Sequence, residues 1–285
     1  MPEIGEVALT AQILEKYFKN KTLISFDFVS GRYKRNKPKG YTSFNRNLPM
    51  KVKAIDSVGK FMWFELVSTK NNSRWYIWNT FGMTGMWSRS ELDFTRAILT
   101  FAGNKVAYFS DMRNFATFKF SNDEAELDGK IKKLSPDFLK DDFNLDSIKK
   151  YNIPVVKILM DQNKVGSGLG NHLVAEILYR AKISPYALGS QLSDREIKNL
   201  TYWIKYIVKL SYMDDHSKYL AGLQKELKSL RKINYHPDVK LREKRFKFLV
   251  YKQDFDPKGH KVKADKIIKT GSEMRTTYWV PAVQK

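Results

Sequence analysis

Apolar residues recur near the start of the chain at Ile4, Val7, Ala8, Ala11, Leu14 and Phe18, while Glu15, Lys16 and Lys19 fall on other faces. That spacing predicts an amphipathic helix over 4–19, with Glu3 and Glu6 at its positive N-terminal end. Past it the period shortens. Runs at 22–30, 50–56, 60–67, 74–80, 95–102, 105–110 and 115–121 are rich in aromatic and β-branched residues and read as strands. Ile24, Phe26 and Phe28 alternate as for one buried face, whereas Phe61-Met62-Trp63-Phe64 is apolar on both faces. A helix plus a two-layered β structure is the expectation for this half.

The pattern changes over 122–145, which is charged and poor in strands, so the domain boundary is placed there. Beyond it Val155, Val156, Ile158 and Leu159 mark a short helix, followed by the glycine-rich turn Val165-Gly166-Ser167-Gly168-Leu169-Gly170. Leu173, Val174, Ile177, Leu178 and Ala181 form the inner side of the next helix. Ser193 and Glu196 make a capping box that opens another, running to about Met213. A further helix is expected over 217–233. The tail from 246 returns to β character through Phe246, Phe248 and Val250, then the turn Asp256-Pro257-Lys258-Gly259 and a closing segment from Met274 to Pro281.

Charge narrows the partners. Lysine and arginine number 51 against 30 acidic residues, a formal surplus of 21 positive charges in 285 residues, which favours a polyanion. No apolar run approaches the ~18 residues of a spanning helix, and Glu3 and Glu6 stand where a secretory leader would be basic. Nucleic acid is therefore favoured over a membrane surface. Cysteine is absent, which removes disulfides, thiol nucleophiles and thiolate-bound metal. His172, His216, His236 and His260 lack metal-ligand spacing and are read as surface or structural.

The start Met1-Pro2-Glu3-Ile4-Gly5-Glu6 has two readings. Proline there is a good helix starter. Freed by removal of Met1, it is also a secondary amine: an α-amino group has a pKa of about 7.7–8.0, so part of it is nucleophilic near neutral pH. The glycines at 166, 168 and 170, with Asn171 opening a helix, suit either a tight helix–helix turn or a phosphate held by backbone N–H groups. Arg275 is an exposed strand arginine or a phosphate ligand, and Lys60 after Gly59 either grips phosphate or extends from the sheet edge.

Taken in order, these segments resemble the formamidopyrimidine-DNA glycosylase and endonuclease VIII family of base-excision repair enzymes. Pro2-Glu3 with Glu6 is similar to its catalytic start, and Gly59-Lys60-Phe61 to its lysine strand. Phe81-Gly82-Met83-Thr84-Gly85 and Asp111-Met112-Arg113-Asn114-Phe115 resemble two family loops. Asp161-Gln162 with Val165 to Asn171, continued by Ala175 to Arg180, resembles the helix–two-turn–helix motif, and Arg275 to Pro281 the last hairpin of a zinc finger. Val280-Pro281-Ala282-Val283 stands where the family has Cys-Pro-x-Cys, as in the zincless fingers of the endonuclease VIII-like branch. Asn114 stands where many relatives have a second arginine.

The resemblance implies an α+β fold of two domains: an N-terminal β-sandwich with an N-terminal helix over 2–125, a linker over 126–145, a helix–two-turn–helix domain over 146–245 and a zincless β-hairpin finger over 246–285. It implies a bifunctional DNA glycosylase/AP lyase that removes oxidised bases, pyrimidines favoured, through a Schiff base on Pro2 and β,δ-elimination. Pro2, Glu3 and Lys60 are then catalytic and Glu6 supports the amine; Gly170, Asn171, Arg275 and Asn114 bind DNA; Met83, Arg113 and Phe115 fill the space left by the flipped nucleotide. No metal or cofactor is expected. The partner is damaged DNA (duplex, bubble or single-stranded), the protein is a monomer, and the location is intracellular, with nucleus and cytoplasm both open. The competing readings are a catalytically inactive damaged-DNA-binding protein of the same fold and a structural RNA-binding protein.

Overall fold

A computed structural model describes the whole chain except residues 215–216 and 271–272, and over 267–274 it describes only the backbone. The chain divides into two compact units, Met1–Lys133 with Asp215–Lys232, and Leu134–Asp214 with Ile233–Lys285. Residues 215–232, expected in the helical domain, thus return to the first unit. No described helix is long and apolar enough to cross a membrane.

The first unit begins with helix α1 (Ile4–Phe18), whose apolar positions are fully buried as the spacing predicts. Strands β1 (Thr22–Phe28), β2 (Met50–Val58), β3 (Phe61–Ser68), β4 (Arg74–Thr80), β5 (Met86–Ser88), β6 (Thr95–Phe101), β7 (Lys105–Ser110) and β8 (Thr117–Ser121) form one antiparallel sheet in the order β5-β7-β6-β1-β2-β3-β4-β8. Short helices α2 (Arg32–Arg35) and α3 (Tyr41–Arg46) interrupt the β1–β2 connection, and α4 (Glu124–Lys132) follows β8.

The sheet folds over on itself into a sandwich. Phe26 of β1 meets Phe118 and Phe120 of β8 at ring distances of 5.7 and 5.1 Å, and Phe109 of β7 meets Phe118 at 5.0 Å. The indole N–H of Trp87 in β5 donates to Asn79 Oδ1 of β4 at 3.0 Å. Register shifts in β1–β6, β2–β3 and β6–β7 bend the strands, as bulges do. The shift between Leu23 and Ser25 also corrects the predicted alternation: Leu23 takes the buried side and Ile24 is left 48% exposed.

In the second unit α5 (Val155–Met160) leads through the glycine turn to α6 (Asn171–Ala181) and then α7 (Asp194–Met213). The predicted capping box is present: Glu196 accepts the Ser193 N–H at 2.8 Å and Ser193 Oγ accepts the Glu196 N–H at 3.3 Å. The segment expected to be a helix over 217–233, in the first unit, is a 3-10 stretch over Lys218–Leu223 and short α8 (Gln224–Lys228).

The C-terminal β-hairpin is β9 (Lys263–Thr270) with β10 (Glu273–Trp279), so the strand expected at 246–250 is absent. Glu176 of α6 explains the difference. Its buried carboxylate accepts the backbone N–H groups of Leu249, Val250 and Tyr251 at 2.9–3.0 Å, taking donors that a strand ladder would use. Burial pushes this carboxyl above its usual range, and the three amides oppose that rise.

Alongside, Val250, Val262 and Val280 cluster with Ala175 and Tyr179 of α6, and Val283 packs against them. Asp256 accepts from Lys258 N–H at 2.9 Å, His260 N–H at 2.8 Å and Tyr179 O–H at 2.9 Å, with His260 Nδ1 at 3.0 Å. Burial alone would raise the Asp256 carboxyl; the bonds from His260, Tyr179 and Lys258 outweigh it and hold the pKa at about 2.

Glu176→Ala is expected to free the 249–251 amides and cost about 3 kcal/mol, read as roughly hundredfold faster hydrogen exchange there; unchanged exchange would remove Glu176 from this role. Asp256 gives the module an acid limit. Its folded pKa lies below the ordinary 3.8, so its stabilisation is complete above that value and is lost as pH falls through about 2. Asp256→Asn should erase that acid step in an equilibrium pH titration.

Candidate active site

At the start of α1 the sequence places two carboxylates within one helical turn, and the fold buries both: Glu3 is 1% and Glu6 7% exposed. They form a capping box on each other's backbone, with Glu6 Oε2 accepting the Glu3 N–H at 2.9 Å. The second Glu6 oxygen accepts from Ser217 Oγ at 3.0 Å. Both Glu6 oxygens are thus held in place.

The terminal amine of Met1 lies above these carboxylates and donates to the Tyr219 hydroxyl. Burial pulls its pKa down from 8.0 to about 6; the charges of Glu3 and Glu6 oppose the fall, and those of Lys218 and Lys60 add to it. Lys60 arrives from the two-residue loop between β2 and β3, where Gly59 takes φ 56° so that Val58 can pair with Phe61. An amine with this pKa is largely unprotonated at neutral pH and is a nucleophile. Glu3 and Glu6 from the start of the chain and Lys60 from the β2–β3 loop thus act on one nitrogen, next to Pro2. Ser217, Lys218 and Tyr219 complete the group, and nothing local in their sequence marked them.

Elsewhere in the first unit, the loops 81–85 and 111–116 are bound into one projection. Buried Asp111 accepts the Ala116 N–H at 2.8 Å and the Thr84 hydroxyl, and Thr84 Oγ1 accepts the Arg113 N–H at 3.0 Å. Gly82, at φ 58°, permits the approach: a Cβ there would lie 2.8 Å from Ala116 N. Met83, Arg113 and Phe115 meet at this tip. The Arg113 guanidinium lies 4.8 Å over the Phe115 ring and donates to Met83 Sδ at 3.0 Å, while Phe115 is 48% exposed. An exposed sulfur–cation–aromatic group held by a buried carboxylate is unlike a core cluster. Asn114, at φ 57°, turns its amide toward Gly31, whose Cβ position would be 2.6 Å from Asn114 Oδ1.

In the second unit Gln162 organises the glycine turn. Its amide donates to the Met160 and Leu169 carbonyls, both at 3.1 Å, and its Oε1 accepts the Gly168 N–H at 2.6 Å. Gly170 then caps α6 in extended conformation. Asn171 donates from Nδ2 to the Thr276 carbonyl at 2.7 Å, which ties the start of α6 to the strand bearing Arg275. The Arg275 side chain has no ion-pair or hydrogen-bond partner among the described residues.

The four histidines do not assemble. His172 lies among aromatic rings, His236 bonds the Phe138 carbonyl at 2.8 Å, His260 serves Asp256, and His216 lies outside the described residues. A zinc ion does not fit the C-terminal hairpin. Val280 and Val283 offer no donor atom, the Asp256 oxygens are already engaged, and no group of three metal-binding side chains occurs among the described residues.

A folded-over β-sandwich with a helix-borne amine, and a second unit with a glycine turn tied to a terminal hairpin, define a two-domain α+β architecture. Family models for the formamidopyrimidine-DNA glycosylase N-terminal, H2TH and C-terminal domains match residues 1–118, 134–219 and 237–285. The chain is 30% identical over 207 residues to a formamidopyrimidine-DNA glycosylase of Corynebacterium efficiens, covering 68% of this chain and 72% of that one. It is 27% identical over 227 residues to the enzyme of Ureaplasma parvum, covering 74% and 78%. The Lactococcus lactis protein in complex with abasic-site DNA superposes with a TM-score of 0.77 at 20% identity over 99% of each chain, and its complex with Fapy-dG DNA with 0.76 at 21% over 99% and 100%. The chain belongs to the formamidopyrimidine-DNA glycosylase family.

Competitive labelling of the Met1 amine, in protein that retains Met1, should give a midpoint near 6 instead of 8 across a pH series. Because the Glu3 and Glu6 charges raise that pKa, Glu3→Gln or Glu6→Gln should lower the midpoint further. An upward shift in either variant would refute this electrostatic account.

Proposed function

We propose that this protein is a bifunctional DNA glycosylase and AP lyase of base-excision repair whose nucleophile is the nitrogen of Pro2 after removal of Met1. The observation that supports it most is the start of the chain, where the buried carboxylates Glu3 and Glu6 are locked to each other's backbone and share the terminus with the Lys60 charge. Pure DNA binding has no use for such a group.

In this reading the damaged nucleotide is rotated out of the duplex, since the bond to be cut is out of reach inside the stack. Met83 and Phe115 take the vacated space and Arg113 faces the orphaned base. Lys60, Gly170, Asn171 and Arg275 hold the flanking phosphates, with Asn114 supporting the first-unit contact. The Pro2 lone pair attacks the sugar C1′ as the glycosidic pair leaves with the base. Glu3 protonates the ring oxygen as the sugar opens, a contribution of roughly 10²–10⁴-fold for general acid catalysis, while Glu6 fixes the amine. The resulting iminium has no N–H to lose, so it draws electrons as protons leave C2′ and then C4′. The 3′ and 5′ phosphates depart in turn and leave a one-nucleotide gap.

The substrate class is oxidised bases. The cysteine-free hairpin argues for oxidised pyrimidines through its likeness to zincless fingers, and likeness to formamidopyrimidine-DNA glycosylases extends the range to ring-opened purines. The hairpin works without metal, so chelators should leave excision unchanged. The protein acts inside the cell, as a monomer.

Borohydride should trap a covalent adduct between Pro2 and lesion-containing DNA. Pro2→Gly or Glu3→Gln should abolish base excision with folding and DNA binding retained; loss of binding as well would remove their catalytic assignment. A protein that binds lesions but is never trapped would be the inactive alternative. Arg275→Ala should weaken binding to all sequences and reduce the salt slope by about one counterion.

A further inference from the structure

We infer that the segment 245–252 in the second unit is a stacking platform for unpaired bases of a single DNA strand, a role that rests on reading this unit as DNA-binding. Phe246, Phe248 and Tyr251 form a continuous strip, with ring centroids 5.3 and 5.2 Å apart, and Tyr278 of β10 extends it at 5.1 Å. The His172 ring supports it from α6, 5.5 Å from Phe248. The sequence predicts a strand here, with Phe246, Phe248 and Val250 on one face. Instead Glu176 draws the 249–251 amides inward. Val250 enters the core, while Phe248 stays 43% exposed.

The surroundings specify the occupant. Arg245 and Lys247 flank the strip, both exposed and without a carboxylate partner among the described residues, and the Lys252 ammonium sits 5.7 Å from the Tyr251 ring. Of the acids nearby, Glu243 is engaged by Arg180 at 3.0 Å and Tyr206 at 3.2 Å, Glu176 is buried on the 249–251 amides, and Asp254 lies beyond Lys252 at the end of the segment. His172 directly follows Asn171, whose amide fixes the strand bearing Arg275. Rings beside unpaired cations, bordering candidate phosphate ligands, suit a polyanion that offers flat apolar faces. A duplex keeps those faces stacked on each other, whereas an unpaired strand presents them.

The test is fluorescence anisotropy of the full-length protein with a short labelled oligothymidylate and with a labelled blunt duplex, for wild type, Phe248→Ala, Phe248→Tyr and Arg275→Ala. Loss of one stacked base should weaken single-strand binding about tenfold in Phe248→Ala. Duplex affinity and the single-strand salt slope should be unchanged, because no cation is removed. Phe248→Tyr should bind as wild type, and Arg275→Ala should weaken both probes. Equal losses on both probes, or no loss in Phe248→Ala, would overturn the proposal, as would tighter binding of oligouridylate than of oligothymidylate. Borohydride trapping separates the two readings. Trapping with a neutral Phe248→Ala defeats the platform alone; a selective single-strand loss without trapping defeats the catalytic reading and leaves the platform standing.

Discussion

Burying Glu6 is the constraint around which the first unit is arranged. A carboxylate taken out of water needs hydrogen-bond donors, and Glu6 finds them at the Glu3 backbone and at Ser217, more than two hundred residues later. The helix start, the terminal amine and the 217–223 segment are therefore positioned together. The same arrangement explains the amine. Burial disfavours its charged form and two fixed carboxylates partly restore it, so it stays close to the pH at which it can both lose and regain a proton.

The second unit depends on a parallel device. Glu176 on α6 receives three consecutive amides, and Tyr179, one turn on, donates to Asp256. Two side chains of one helix thus fix the course of the chain before the terminal hairpin, and the valine cluster fills the space between. Asn171, at the first turn of that helix, holds the hairpin's second strand. The start of one helix consequently brings together Gly170, Asn171 and the strand bearing Arg275, the candidate phosphate ligands of this unit.

Much of this was legible in the sequence because it follows from local periodicity. The helix of 4–18, the sheet strands, the glycine turn and the capped helix from 194 all depend on short-range patterns. Pro2, Glu3, Glu6 and Lys60 stood out through chemistry and ordered motifs, and the fold gathers the last three around the terminal nitrogen. What escaped detection was long-range. Ser217 and Tyr219 look like ordinary loop residues until the chain returns to the N-terminus. The strand expected at 246–250 fails because a distant carboxylate, invisible to any local window, captures its donors. Ile24 leaves the core because one bulge shifts the register, and period-two reasoning cannot anticipate that.

The valines at the end of the chain bear on chemical endurance. Metal-bound thiolates are among the first protein groups that peroxides attack, and their oxidation releases the ion and the fold it supports. Val280, Val283 and the carboxylates of Glu176 and Asp256 carry no sulfur for a peroxide to attack. Loss of the hairpin through thiolate oxidation and release of an ion is therefore a route closed to this chain.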